Sequence, residues 1–178
     1  MQTYISILRG INVSGQKKIL MTDLTKLYED LGFKNVMTYI QSGNVLFKTD
    51  KILSDVEISD KIGHVIHKKY GFEVPVLVRT VKEMEKVIKG NPFKNETAEG
   101  LHVTFLSEKP SAENSGKLKD INFPPDRFIF KDTAIYLAVS SYGNTKLSNN
   151  FFENKLKVTA TTRNWKTVNM LVELANNL

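Results

Sequence analysis

The sequence predicts an α+β protein made of two tandem ferredoxin-like βαββαβ units with an extra C-terminal helix. Three observations lead there. The element order strand–helix–strand–strand–helix–strand is legible over residues 1–80 and returns after residue 100. The middle strands of each set are joined by short polar turns, which marks hairpins. The composition, 41% hydrophobic and 25% charged over 178 residues, supports a packed core rather than a disordered chain.

Taken in order, Tyr4 to Leu8 is rich in strand formers and runs into a loop at Arg9-Gly10. Thr22 is placed to cap a helix whose Leu24, Leu27, Tyr28 and Leu31 fall at helical spacing, and Gly32 closes it. Val36–Ile40 and Val45–Phe47 read as a hairpin turned at Gln41-Ser42-Gly43-Asn44. Ser54–Tyr70 is a helix stopped by Gly71, and Val74–Arg79 is the fourth strand. A short helix, Val81–Lys89, ends at Gly90-Asn91-Pro92. The order then repeats: strand Leu101–Leu106, a weak helix Ser111–Ile121, a hairpin Arg127–Phe130 and Ile135–Val139, a helix Leu147–Leu156 and a short strand Val158–Ala160. Trp165–Leu174 is the extra helix, with Val168, Leu171 and Val172 on one stripe. The expected organisation is a unit at 1–80, a linking helix and loop at 81–99, and a second unit with the C-terminal helix at 100–178. No residue-level repeat accompanies the repeated order.

The absence of cysteine excludes disulfides, thiolate nucleophiles and Cys-based metal sites. No run of about 18 apolar residues offers a membrane span. The first residues lack the basic and apolar regions of a signal peptide, so a cytoplasmic protein is expected. The net charge of +6 favours anionic partners, nucleic acid first and phosphorylated small molecules second. The lysines are spread along the chain, as they also are on an ordinary solvated surface.

Three polar segments are candidates for function. Arg9-Gly10-Ile11-Asn12-Val13-Ser14-Gly15-Gln16-Lys17-Lys18 combines glycines, which admit close backbone approach, with three cations that suit an anion. It matches neither a Walker A loop nor GxGxxG. Gln41-Ser42-Gly43-Asn44 reads first as a turn. Thr161-Thr162-Arg163-Asn164-Trp165-Lys166-Thr167 sets two cations beside a helix N-terminus that Asn164 or Thr162 caps. Catalytic patterns are thin. His64 and His67 share a helix face without a third ligand, His102 stands alone in a strand, and Glu57, Asp60 and Glu73 are scattered. No metal site, cofactor site or nucleophile elbow is expected.

The same segments carry a resemblance. Leu8-Arg9-Gly10-Ile11-Asn12-Val13, Thr38-Tyr39-Ile40-Gln41-Ser42-Gly43-Asn44-Val45 and Ala160-Thr161-Thr162-Arg163-Asn164-Trp165, with weaker strings at Asn91-Pro92-Phe93 and Leu101-His102-Val103, resemble the bacterial family catalogued as domain of unknown function 1697. The family pattern commonly has Gly where this chain has Ser14, and often Pro where it has Thr159. The resemblance implies a two-part ferredoxin-like fold and no established activity, substrate or cofactor. It also groups Arg9, Asn12, Gln41, Asn44, Arg163 and Asn164 as the polar positions of the family motifs.

Two functions of different class follow. In the first, the protein binds an anion, with nucleic acid slightly favoured, through Arg9, Asn12, Lys18, Gln41, Ser42, Asn44, Arg163 and Asn164. Tyr4 and Tyr39 would then lie on a sheet face that stacks bases, although Asn44–Lys48 lacks the glycine-aromatic pattern of RNA-recognition domains. In the second, the same residues line the pocket of an enzyme acting on a phosphorylated or carboxylated small molecule, with its general base unassigned.

Overall fold

The computed structural model describes residues 1–178 and contains two four-stranded antiparallel sheets and six α-helices. The chain divides into two compact units, Met1–Lys86 with Met170–Leu178, and Val87–Asn169. The last turns of the C-terminal helix, expected with the second unit, thus group with the first.

The first unit contains β1 (Gln2–Leu8), α1 (Met21–Asp30), β2 (Lys34–Tyr39), β3 (Asn44–Thr49), α2 (Asp55–Tyr70) and β4 (Val76–Thr80), in the sheet order β2-β3-β1-β4. Strand alternation sends Tyr4, Ser6 and Leu8 of β1 to the face that α1 and α2 cover. There Tyr28, Phe33 and Phe47 form the aromatic centre of the core, with Ile58, Ile62 and Ile66 from α2. The one polar pair in this core is satisfied, Ser6 Oγ and Tyr28 Oη lying 2.8 Å apart. Ile5 and Ile7 of β1 and Leu46 of β3 point to the other face and are also fully buried. Within this unit Lys48 Nζ donates to Leu178 O at 2.9 Å and Asn176 Nδ2 to Glu85 Oε1 at 3.2 Å, anchoring the C-terminal residues.

α3 (Val81–Lys89) begins in the first unit and ends in the second, which continues with β5 (Leu101–Leu106), α4 (Ala112–Gly116), β6 (Arg127–Lys131), β7 (Ala134–Ala138), α5 (Asn149–Leu156) and β8 (Ala160–Asn164). Its sheet order is β6-β7-β5-β8. Leu106, Ile135, Leu137, Phe152 and Leu156 form its core. On the sheet's other face Tyr136 Oη donates to Val87 O at 2.7 Å, and the Arg127 guanidinium stacks over Phe93. α6 (Trp165–Asn176) closes the chain with Val168, Leu171, Val172 and Ala175 buried, the stripe that the sequence indicates.

Several boundaries differ from the sequence reading. α1 starts at Met21 after Leu20, with no side-chain cap, so Thr22 lies inside the helix. α4 spans only Ala112–Gly116, because Asn114, Ser115 and Gly116 are poor helix interiors. The largest difference is β8, expected to end at Ala160. Residues 160–164 are strand, because β5 supplies a hydrogen-bonding edge along the whole of this polar segment.

Candidate functional site

The first unit brings two of the motif segments together at the exit of β1. Leu8 N donates to Gly43 O at 2.8 Å and Arg9 N to Pro75 O at 3.0 Å, so β1 leaves between the hairpin turn and the start of β4. The chain then folds through positive φ at Gly10, Asn12, Ser14, Gly15 and Lys17. Ser14 sits at φ 50°, a conformation glycine reaches without strain, which accounts for glycine in the family pattern. Asn12 holds this loop. Its Nδ2 donates to Ile19 O at 3.0 Å and Gln41 O at 2.8 Å, and its Oδ1 accepts from Ile19 N at 2.9 Å. One side chain therefore closes the loop and ties it to the turn. Asn44 is buried and does the same inside the turn, donating to Tyr39 O at 3.0 Å and Ser42 Oγ at 3.1 Å. Arg9 and Ser42 are half-buried, whereas Lys18 and Gln41 are exposed.

Arg163 and Asn164 belong to the second unit. Arg163 lies on β8 opposite Val103, half-buried, and its Nη1 donates to Thr162 O at 3.0 Å. Burial pulls its guanidinium down to about 10, against the opposing influence of Tyr142, so it stays cationic at neutral pH. Asn164 caps α6, its Oδ1 accepting from Thr167 N at 2.8 Å. His102 pairs with Asn164 across the strands and stacks on Tyr142, ring centroids 4.8 Å apart. Burial lowers the His102 pKa, partly offset by a hydrogen bond with the Gly100 backbone, so the imidazole is neutral at pH 7. Sequence reasoning left His102 alone in its strand and did not single out Tyr142. Their pairing depends on the 3-10 turn Tyr142–Asn144, which no motif announces.

A second group of ionisable residues also escaped the sequence reading. Asp55 opens α2, and Glu83 lies in the first turn of α3. Burial raises the Asp55 pKa first, the Glu83 charge and a hydrogen bond to it raise it further, and Arg79 acts in the opposite direction. Tyr4 senses both carboxylates, although burial is the larger cause of its own upward shift. The visible signal was a pair of capping boxes, Ser54-x-x-Glu57 and Thr80-x-x-Glu83, which the structure forms at both helices.

Tyr4 does not serve as a base-stacking platform. It is buried on the helix-covered face against Phe47, while the other face carries Ile5, Ile7 and Leu46 on its central strands. In the second unit the positions matching Ile7 and Leu46 hold the aromatics Phe105 and Tyr136, and both are buried.

The sheet order and the motif-bearing loops define an α+β protein with two four-stranded antiparallel sheets, and comparison with known proteins gives the family. The family model for "Protein of unknown function (DUF1697)" matches residues 1–136. The chain belongs to this family. Among solved structures it is similar to the conserved bacterial protein SP0830 from Streptococcus pneumoniae, with 22% sequence identity, 99% of each chain covered and a TM-score of 0.77. At that identity the likeness speaks to the fold alone. No curated protein matches the chain. No helix is long and apolar enough to cross a membrane.

Proposed function

We propose that the protein binds a small anionic ligand, phosphorylated or carboxylated, and that its two units are tandem ferredoxin-like copies. The strand orders β2-β3-β1-β4 and β6-β7-β5-β8, each following βαββαβ connectivity, support the second statement. The observation that carries the first is Arg163: a half-buried guanidinium on a strand that leads directly into a helix N-terminus. Arginine makes charge-assisted, bidentate contacts with phosphate and carboxylate, and the helix terminus adds partial positive charge. Within the first unit taken by itself, Arg9, Lys18, Gln41 and Ser42 are the candidates for an anion contact. Asn12 and Asn44 act by holding the loop and turn that present them. A small ligand is favoured over nucleic acid because the sheet faces that carry Ile5, Ile7 and Leu46 in the first unit and Val103, Phe105 and Tyr136 in the second show no exposed aromatic on their central strands.

The test is a thermal-shift and calorimetric screen with inorganic phosphate, sugar phosphates, nucleoside monophosphates and small carboxylates. Labelled single-stranded RNA is included at several salt concentrations. R163A is expected to weaken the best small ligand by roughly 10- to 100-fold, the loss of one charge-assisted contact. RNA binding with a log–log salt slope of about −0.7 per phosphate neutralised would overturn the small-ligand reading in favour of nucleic acid.

A further inference from the structure

Three aliphatic side chains stand in solvent around one amide of the first unit. Asn12 donates to Ile19 O and Gln41 O and accepts from Ile19 N, so residues 11–13, 19–20 and 40–41 meet at its side chain. The chain neighbours of these bonded groups are Val13, Leu20 and Ile40, which are 56%, 69% and 50% exposed. Ile11 and Ile19 beside them belong to the core of the unit, and the exposed three do not. Apolar residues scattered singly on a surface need no explanation, but three gathered on adjoining turns do.

Ile40 is also strained. It sits at φ +50°, a left-handed conformation that a β-branched residue adopts only at a cost and that asparagine or glycine reaches more easily. With half of its surface in water it gains little from packing, so the fold does not call for isoleucine there. Val13 lies on a second turn, closed by Gln16 N donating to Val13 O at 2.9 Å, and Ser14, Gly15 and Gln16 are all exposed. The two turns are exposed tips, tied to each other by the bond from Asn12 to Gln41 O.

The charge around these tips is of one sign. Residues 8–22 and 31–49 contain no Asp or Glu. Lys18 is exposed, and its Cε lies 4.0 Å from where a Cβ on Gly15 would sit, so its stem runs over the first tip. Lys17 is half-buried, its Nζ donating to Glu73 O at 2.6 Å, while the Glu73 carboxylate pairs with His67 Nδ1 at 3.1 Å. Like charge argues against a second copy of this chain as the occupant. A protein partner is also disfavoured. Cores of protein interfaces are rich in aromatic residues and arginine and poor in lysine, whereas these tips expose aliphatic side chains and lysine. That combination suits an anionic bilayer: aliphatic side chains enter the headgroup region, and the ammonium meets lipid phosphate with its stem along the apolar layer.

We propose that the turns carrying Val13 and Ile40, with Leu20 and Lys18 beside them, dock the protein on the surface of an anionic lipid bilayer. The contact is peripheral, with side chains entering the headgroup layer and no element crossing it. It goes beyond the small-ligand reading, uses no donor of Arg163 and shares only Lys18 with the candidates for that ligand.

The test is cosedimentation with vesicles of phosphatidylcholine, alone or mixed with phosphatidylglycerol, at several salt concentrations. Wild type should bind the mixed vesicles, less tightly as salt rises, and phosphatidylcholine alone far more weakly. I40N replaces the strained isoleucine by a residue suited to its backbone, so it should melt at the wild-type temperature or above. Its vesicle affinity should fall about 10-fold, that of V13S/I40N about 100-fold and that of K18Q about 5-fold. Lack of wild-type binding to the mixed vesicles at low salt overturns the proposal. Full binding by V13S/I40N, or equal binding to phosphatidylcholine alone, does the same. A several-degree drop in the melting temperature of I40N also overturns it, since Ile40 would then be structural. In sedimentation velocity without lipid, a dimer that V13S/I40N dissolves would assign the patch to a second copy instead. The small-anion screen is repeated on V13S/I40N: vesicle binding lost with anion binding intact separates this proposal from the small-ligand reading.

Discussion

Replacing Gly43 by alanine tests the meeting of the first two motif segments. Gly43 sits at φ +88°, and a Cβ at this position would lie 2.8 Å from both Ile11 Cδ1 and Leu8 Cβ. Two costs follow. The left-handed backbone conformation costs an L-residue about 1–2 kcal/mol. Overfilling a packed contact adds about 1–3 kcal/mol, because Leu8 and Ile11 are both buried and Leu8 is fixed by its amide bond to Gly43 O. The smaller entropy of the unfolded alanine chain returns about 0.4–1 kcal/mol. The net expectation is a loss of about 1–5 kcal/mol, or about 2–20 °C in melting temperature for a chain of this size. Gly71 supplies the control. It caps α2 at φ +77° with nothing within 4 Å of where an alanine methyl would sit, so G71A carries the backbone cost without the collision. Urea and thermal denaturation of both variants, followed by circular dichroism, separate the terms. If G43A costs no more than G71A, the motif segments are not packed as tightly as the contact distances require, and the reasoning fails.

Two further outcomes are expected. N12D exchanges the amide that donates to Ile19 O and Gln41 O for an acceptor facing two carbonyls, so it should destabilise by about 2–3 kcal/mol and exceed N12A. Urea titration compares the variants; equal stability of N12D and N12A would refute the role of the donor pair. Asp55 has a folded-state pKa raised by burial and by Glu83, so its contribution to stability is full below the ordinary carboxylate range and is lost as pH rises through the folded value. D55N should therefore be the more stable protein at neutral pH, with the gap closing on acidification. A melting-temperature difference that does not vary between pH 3 and pH 7 would contradict this.

The sequence alone determined the element order, because hydrophobic period and glycine or cap punctuation are local signals. It also placed the hairpin turn to within a residue, the structure turning over 40–43 with Asn44 opening β3, and it placed the Gly71 stop and the apolar stripe of α6. It picked out the segments that carry the family pattern, since their polar residues exceed what a minimal connection needs. Tertiary structure decided the rest. Residues 161–164 are too polar to announce a strand, and became one because the edge of β5 takes up their backbone donors and acceptors. Asn12 and Asn44 resembled ligand contacts in sequence, yet their amides are used on backbone groups brought near by folding. The element order showed the two-part organisation, but no residue-level repeat was visible, because few residue identities are shared between the two units. Leu8 and Leu106, Arg79 and Arg163, and Lys82 and Lys166 correspond only once strand register is known. Register between distant strands is a property of hydrogen bonds formed on folding, and beyond the two hairpins the sequence carries no record of which segments pair.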